Sequence, residues 1–162
     1  MRVPFDSPEP RRVTSDEHPM WDMALALLNR DLAATLPEQE PLQLLALPCI
    51  YADEPDDVYV ALANGEWHGN RLFPESADDA AQALAVVADA AQETVTERLW
   101  QAWPVCDEHG VGMHPRDVDG QLSWSCAGEL SRLSSAHVRA AVGALDAFVR
   151  VHRPNRKKRQ AK

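Results

Sequence analysis

Lysine is almost missing from this chain of 162 residues: the only three are Lys157, Lys158 and Lys162. That scarcity excludes a G-x-x-x-x-G-K phosphate loop anywhere before residue 157. Cysteine is sparse as well, with Cys49, Cys106 and Cys126 alone. An odd number of thiols argues against a disulfide framework and for metal ligation or simple burial. The opening stretch Met1 to Arg12 is polar and proline-containing and lacks the apolar core of a signal peptide. No apolar run approaches the roughly 18 residues that span a bilayer. The expectation is a cytoplasmic protein with no membrane partner. Enzyme signatures are lacking too. There is no H-E-x-x-H and no G-x-S-x-G, and none of the six histidines has a glutamate two positions later, as zinc deaminases require.

What is present points to a packed globule. The apolar fraction is 45%, with five tryptophans, and the length suits one domain with a core of its own. Charge is unevenly spread. All 25 acidic residues precede position 150, where they face nine arginines for a net of −16, while residues 150–162 hold seven basic side chains and no acid. An acidic body repels nucleic acid and a basic tail attracts it, so nucleic-acid binding through residues 150–162 is a reading to test. The plainer one is a solvated, disordered tail.

Residues 1–18 read as a flexible arm, 19–151 as a single domain and 152–162 as the basic tail. Pro19 suits the first turn of a helix over about 19–36, with Trp21, Leu25, Leu28, Leu32 and Leu36 on one face. Leu42 to Tyr51 reads as a strand broken by Pro48. Val58, Val60 and Leu62 alternate, Asn64-Gly65 suits a tight hairpin turn, and Glu66 to Phe73 reads as the returning strand. A long helix follows over about 77–101, with Ser76 and Asp79 as its start signal and Leu84, Val87, Ala91, Val95 and Leu99 as its buried stripe. A third helix is expected over about 135–151, capped by Ser134, with Val138, Val142, Leu145 and Val149 on one face. The class is α+β: a small antiparallel sheet packed by two to three helices, with a zinc-ribbon-like hairpin (about 103–127) before the last helix.

That hairpin carries the chemistry. Cys106, His109, His114 and Cys126 are spaced C-x2-H-x4-H-x11-C. A tight knuckle turns the side chains of Cys106 and His109 inward together, and Gly110 permits the sharp turn back. Two thiolates and two neutral imidazoles balance and suit a tetrahedral structural Zn²⁺. His114 joins Cys126 on one face only if the turn at Asp119-Gly120 has three residues, which sets His114 opposite Trp124. A two-residue turn sets it opposite Ser125, on the wrong face. The expectation is the three-residue turn. His137, in the first turn of the last helix, is the alternative fourth ligand, and water is another. The plainer alternative makes both cysteines small core residues. Trp100, Trp103 and Trp124 read as a mini-core beside the site. Trp67, His68 and Asn70 are a candidate pocket, or simply finish their hairpin. Cys49 reads as buried, and the acidic loop at Asp53, Glu54, Asp56 and Asp57 as solvated.

The strings Leu62-Ala-Asn-Gly-Glu-Trp-His-Gly-Asn70, Trp103-Pro-Val-Cys-Asp-Glu-His109 and Trp124-Ser-Cys126 resemble an uncharacterised family of actinobacterial proteins, over roughly residues 55–145. The resemblance implies a bacterial, metal-binding domain and nothing more. Three functional readings follow. The leading one is a non-enzymatic, zinc-stabilised domain that works through a protein partner. The others are nucleic-acid binding through the tail, and a zinc hydrolase with an open metal position and Glu108 as base.

Overall fold

The computed structural model describes residues 9–49, 53–126 and 137–147. Among them the class is α+β: two α-helices, one 3-10 helix, a helical run at 145–147 and two three-stranded antiparallel sheets. The first sheet is β1 (Arg11–Arg12), β2 (Gln43–Leu47) and β3 (Asp57–Ala61), with β2 in the centre. The second is β4 (His114–Val118), β5 (Gln121–Cys126) and β6 (His137–Ala141), with β5 in the centre. One hydrophobic cluster runs through both halves, from Trp21 and Leu28 to Trp124, Cys126 and Leu145.

Helix α1 (Pro19–Thr35) begins at proline and ends two residues before Pro37, close to where the sequence suggests. Its buried face is Trp21, Ala24, Leu25, Leu28, Asp31 and Leu32. Helix α2 (Ala80–Leu99) is shorter than expected, because Pro74–Asp78 winds into a separate 3-10 turn. Asp79 alone caps it, accepting from the Gln82 N–H at 3.0 Å. Ser76 belongs to the 3-10 turn and accepts the Trp21 indole N–H at 2.9 Å. The buried stripe of α2 is Ala83, Val87, Ala88, Ala91, Thr94 and Val95, small enough for α1 to pack closely. Leu84 and Leu99 lie at its margin.

Two turns exchange roles relative to expectation. Asn64-Gly65 makes a three-residue loop, with Gly65 alone at positive φ and the Leu62 N–H on the Glu66 carbonyl at 2.8 Å. The returning arm is not a strand. Its backbone meets β3 through one bridge, Ala61 with Trp67, and one bond, Leu72 N–H to the Val58 carbonyl. Asp119 and Gly120, at φ 52° and 83°, make the two-residue turn instead, and Val118 pairs with Gln121.

Over its described part the expected third helix gives way to β6 and a turn as far as residue 144, and only 145–147 are helical. Its apolar spacing fits a helix, but the β5 ladder takes 137–141 and Gly143, at φ 95°, turns the chain in a way a helix cannot. A Cβ on Gly143 would lie 2.6 Å from Leu27 Cδ2, so the close approach to α1 also demands glycine. Ser134 and Val149 lie outside the described residues, as do the basic tail and the arm up to residue 8.

Candidate metal centre

The knuckle is closed by its own backbone. Cys106 N–H donates to the Val111 carbonyl at 2.9 Å, Gly110 N–H to the Cys106 carbonyl at 2.7 Å, and Met113 N–H to the Pro104 carbonyl at 2.7 Å. Gly110 sits at φ 68° with nothing near its missing Cβ, so conformation rather than space demands glycine there. The turn folds Cys106 and His109 toward each other, and β5 delivers Cys126 from below.

Cys106, His109 and Cys126 form a group that can hold a metal ion, with donor atoms all within 4.8 Å of one another. The His109 Nδ1 lies 3.5 Å from Cys106 Sγ and 3.4 Å from Cys126 Sγ. Zinc–sulfur and zinc–nitrogen bonds of usual length set at the tetrahedral angle place N and S about 3.6 Å apart, close to both distances. Both thiols are fully buried, which suits a closed structural site. They are free cysteines rather than a disulfide.

His114 is not in this group. The two-residue turn pairs it with Ser125, so it falls on the face opposite Cys126. It is exposed and lies instead in a cleft of about 730 Å³ between α2 and the knuckle, which Asp89 also lines. One residue fewer in the turn is the whole reason. His137 is not in a helix turn but in β6, where the register pairs it with Cys126.

The surroundings lock the knuckle in place. Trp103 and Trp124 are buried edge to face, 5.7 Å apart. The Trp103 indole donates to Thr35 Oγ1 at 2.8 Å, and Gln92 Nε2 reaches the carbonyls of Trp103 and Met113. Trp100 is no part of this mini-core: it is 92% exposed, in a left-handed conformation at the end of α2. Arg139, nearly buried at the β6 bulge, forks to Asp107 at 2.9 Å and Glu108 at 3.2 Å, the two residues between the ligands.

Two supporting residues escape a reading by motif: Arg139 and Asp31. Asp31 is wholly buried on α1 and accepts three N–H groups: the Trp124 indole at 2.7 Å, Gly143 at 2.7 Å and Leu145 at 3.0 Å. Burial pushes its pKa up while the three donors pull it back down, with burial the larger effect. The visible signal was a carboxylate placed between Leu28 and Leu32 on the apolar face of a helix.

Trp67, His68 and Asn70 do not share one pocket. Trp67 and His68 line a cavity of about 470 Å³ with Arg98, and Asn70 a separate one of about 370 Å³ with Phe73. Trp67 packs on Tyr59, and His68 pairs with Glu93 at 3.2 Å. Cys49 is only half-buried. Asp56 and Asp57 of the acidic loop pair with Arg11 and Arg71. No helix among the described residues is long and apolar enough to cross a membrane.

No protein-family model matches the chain, and no curated protein or solved structure matches it either. The centre therefore has to be read from its own geometry.

Proposed function

We propose that the protein is a non-enzymatic interaction domain whose second sheet is stabilised by one structural zinc ion on Cys106, His109 and Cys126. The observation that carries this reading is the single imidazole nitrogen at tetrahedral-edge distance from two buried sulfurs. His137 is the proposed fourth donor. The β5–β6 register pairs its backbone with Cys126.

A structural rather than catalytic role is supported by Glu108. A hydrolase at this site would need it as base, yet it pairs with Arg139. Work through a protein partner is supported by the apolar surface around the knuckle, where Trp100, Val105 and Val111 are all exposed.

The test is metal content per chain, with the cobalt(II) form reporting coordination through its absorption. One zinc per chain, lost in Cys106→Ser and weakened with an altered cobalt spectrum in His137→Ala, is the expected result. Chelation should then loosen residues 103–126 while α1 and α2 keep their hydrogen-exchange protection. Zinc content that is unchanged in Cys106→Ser, or absent from every sample, would end the reading. An unchanged cobalt spectrum in His137→Ala would remove that ligand alone.

A further inference from the structure

The cleft between α2 and the knuckle has an apolar floor, formed by Ala102, Trp103 and Val111, and an acidic wall. The wall is Asp89, Glu93 and Glu97, set at intervals of four residues on one face of α2. Like charges at that spacing weaken a helix, so the arrangement opposes the helix's own stability. Among the described residues no arginine pairs with any of the three. Glu93 meets His68, and Arg98, the cation in the last turn of α2, donates to the Trp67 carbonyl at 2.9 Å instead. Trp100, almost fully exposed, ends α2 and stands in the sequence between the cleft residues Glu97 and Ala102. An exposed indole offers a face to guanidinium and ammonium groups.

We infer that this cleft binds an extended basic peptide, and that its occupant is residues 150–162 of the same chain. Charge complementarity selects the occupant: that segment carries seven basic side chains and no acidic one. Reach is sufficient. Fifteen extended residues beyond 147 span about 50 Å, whereas a domain of this length has a radius of gyration of about 15 Å. Tethering also compensates for the weakness of exposed ion pairs, since a short linker supplies effective concentrations in the millimolar range. The chain would thus cover its own acidic cleft, and a stronger basic ligand would have to displace the tail. The inference holds with or without a metal at the neighbouring centre, as none of the three carboxylates is among the proposed ligands.

The sequence makes the test clean, because every lysine of the protein lies in the segment in question. Full-length protein is treated with a carbodiimide, which joins carboxylates to amines at zero length, and the linked peptides of the monomeric band are mapped. The expected result is that Lys157, Lys158 and Lys162 link to Glu93 several-fold more than to the exposed Glu38 and Glu54. That excess should collapse at high salt and in D89N/E97Q, where Glu93 itself remains available to react. Equal yields at Glu93, Glu38 and Glu54, or a Glu93 yield unchanged in D89N/E97Q, would overturn the inference. So would links to Glu93 found only in covalent dimers, which would assign the cleft to the tail of a second copy. Metal content, measured on the same samples, reports separately on the zinc reading.

Discussion

The region built from α1, α2 and the first sheet and the region built from the knuckle and the second sheet are held together in different ways. In the first, aliphatic side chains from four elements bury one another, among them Leu28, Leu32, Leu44, Val60, Val87 and Val95. Each is worth roughly 1.5–3 kcal/mol on full burial, and no single contact decides the outcome. The second has little aliphatic core. Its interior is Trp103, Met113, Trp124, two cysteines, Val142 and Leu145, and besides the hydrophobic cluster it shares with the rest it is fastened by polar ties to Asp31, Thr35 and Gln92. A segment this small cannot bury enough surface to stand alone. It depends on a carboxylate from α1 and, in the proposed reading, on a metal. The lesson is that the two regions should fail differently, the first gradually and the second at single points.

Removing Asp31 should break that contrast most severely. Asp31→Ala leaves an indole N–H and two backbone N–H groups buried without their acceptor. The cost should be about 3 kcal/mol or more, since each of the three donors left unpaired costs about 1–3 kcal/mol. Urea denaturation measures it, and hydrogen exchange locates it: β5 and β6 should lose protection before α2 does. A loss below about 1 kcal/mol would mean that the second region does not lean on this carboxylate.

The uneven legibility of the sequence follows the same division. Helix α1 was readable because prolines bracket it and leucines repeat along it, signals that need no tertiary partner. The trio Cys106, His109 and Cys126 was readable because knuckle spacing is local chemistry. His114 was misplaced because its face depends on a single residue in the Asp119-Gly120 turn, and both turn lengths suit that dipeptide. Strand β6 was misread because Val138, Val142 and Leu145 recur at helical spacing. What decides there is the open edge of β5, which no local pattern reveals. Gly143 within the expected helix was the contrary sign.

Thr94 sharpens the comparison from the other side, as a polar tie within the first region. Its buried hydroxyl donates to the Val60 carbonyl at 2.9 Å and accepts the His68 N–H at 3.2 Å, fastening α2 to β3 and to the loop beyond it. Thr94→Val keeps the shape and leaves those two groups unpaired. The expected cost is about 1–2 kcal/mol by urea denaturation, well below that of Asp31→Ala, because the apolar packing around position 94 persists. A cost equal to that of Asp31→Ala would erase the distinction between the regions.

The smallest effect should come from the exposed edge of the first sheet, and it should appear only in acid. Glu17 accepts from Arg11 and from the Thr14 N–H at 2.8 Å, joining β1 to the entry of α1. The Arg11 hydrogen bond, then that of Thr14, holds its pKa down at about 2, against 4.5 for an ordinary glutamate. The folded state therefore binds this proton less readily than the unfolded one. Its contribution is complete above pH 4.5 and disappears as pH falls from 4.5 toward 2. Glu17→Gln should lower the melting temperature slightly at neutral pH, and parent and variant should converge near pH 2. Because the pair is solvent-exposed, salt should shrink the neutral-pH difference. A gap that persists undiminished at pH 2 would show that the side chain acts through packing rather than charge. Glu17 would then be no acid-sensitive tie, and the Arg11–Asp56 pair would be left as the carboxylate contact of β1.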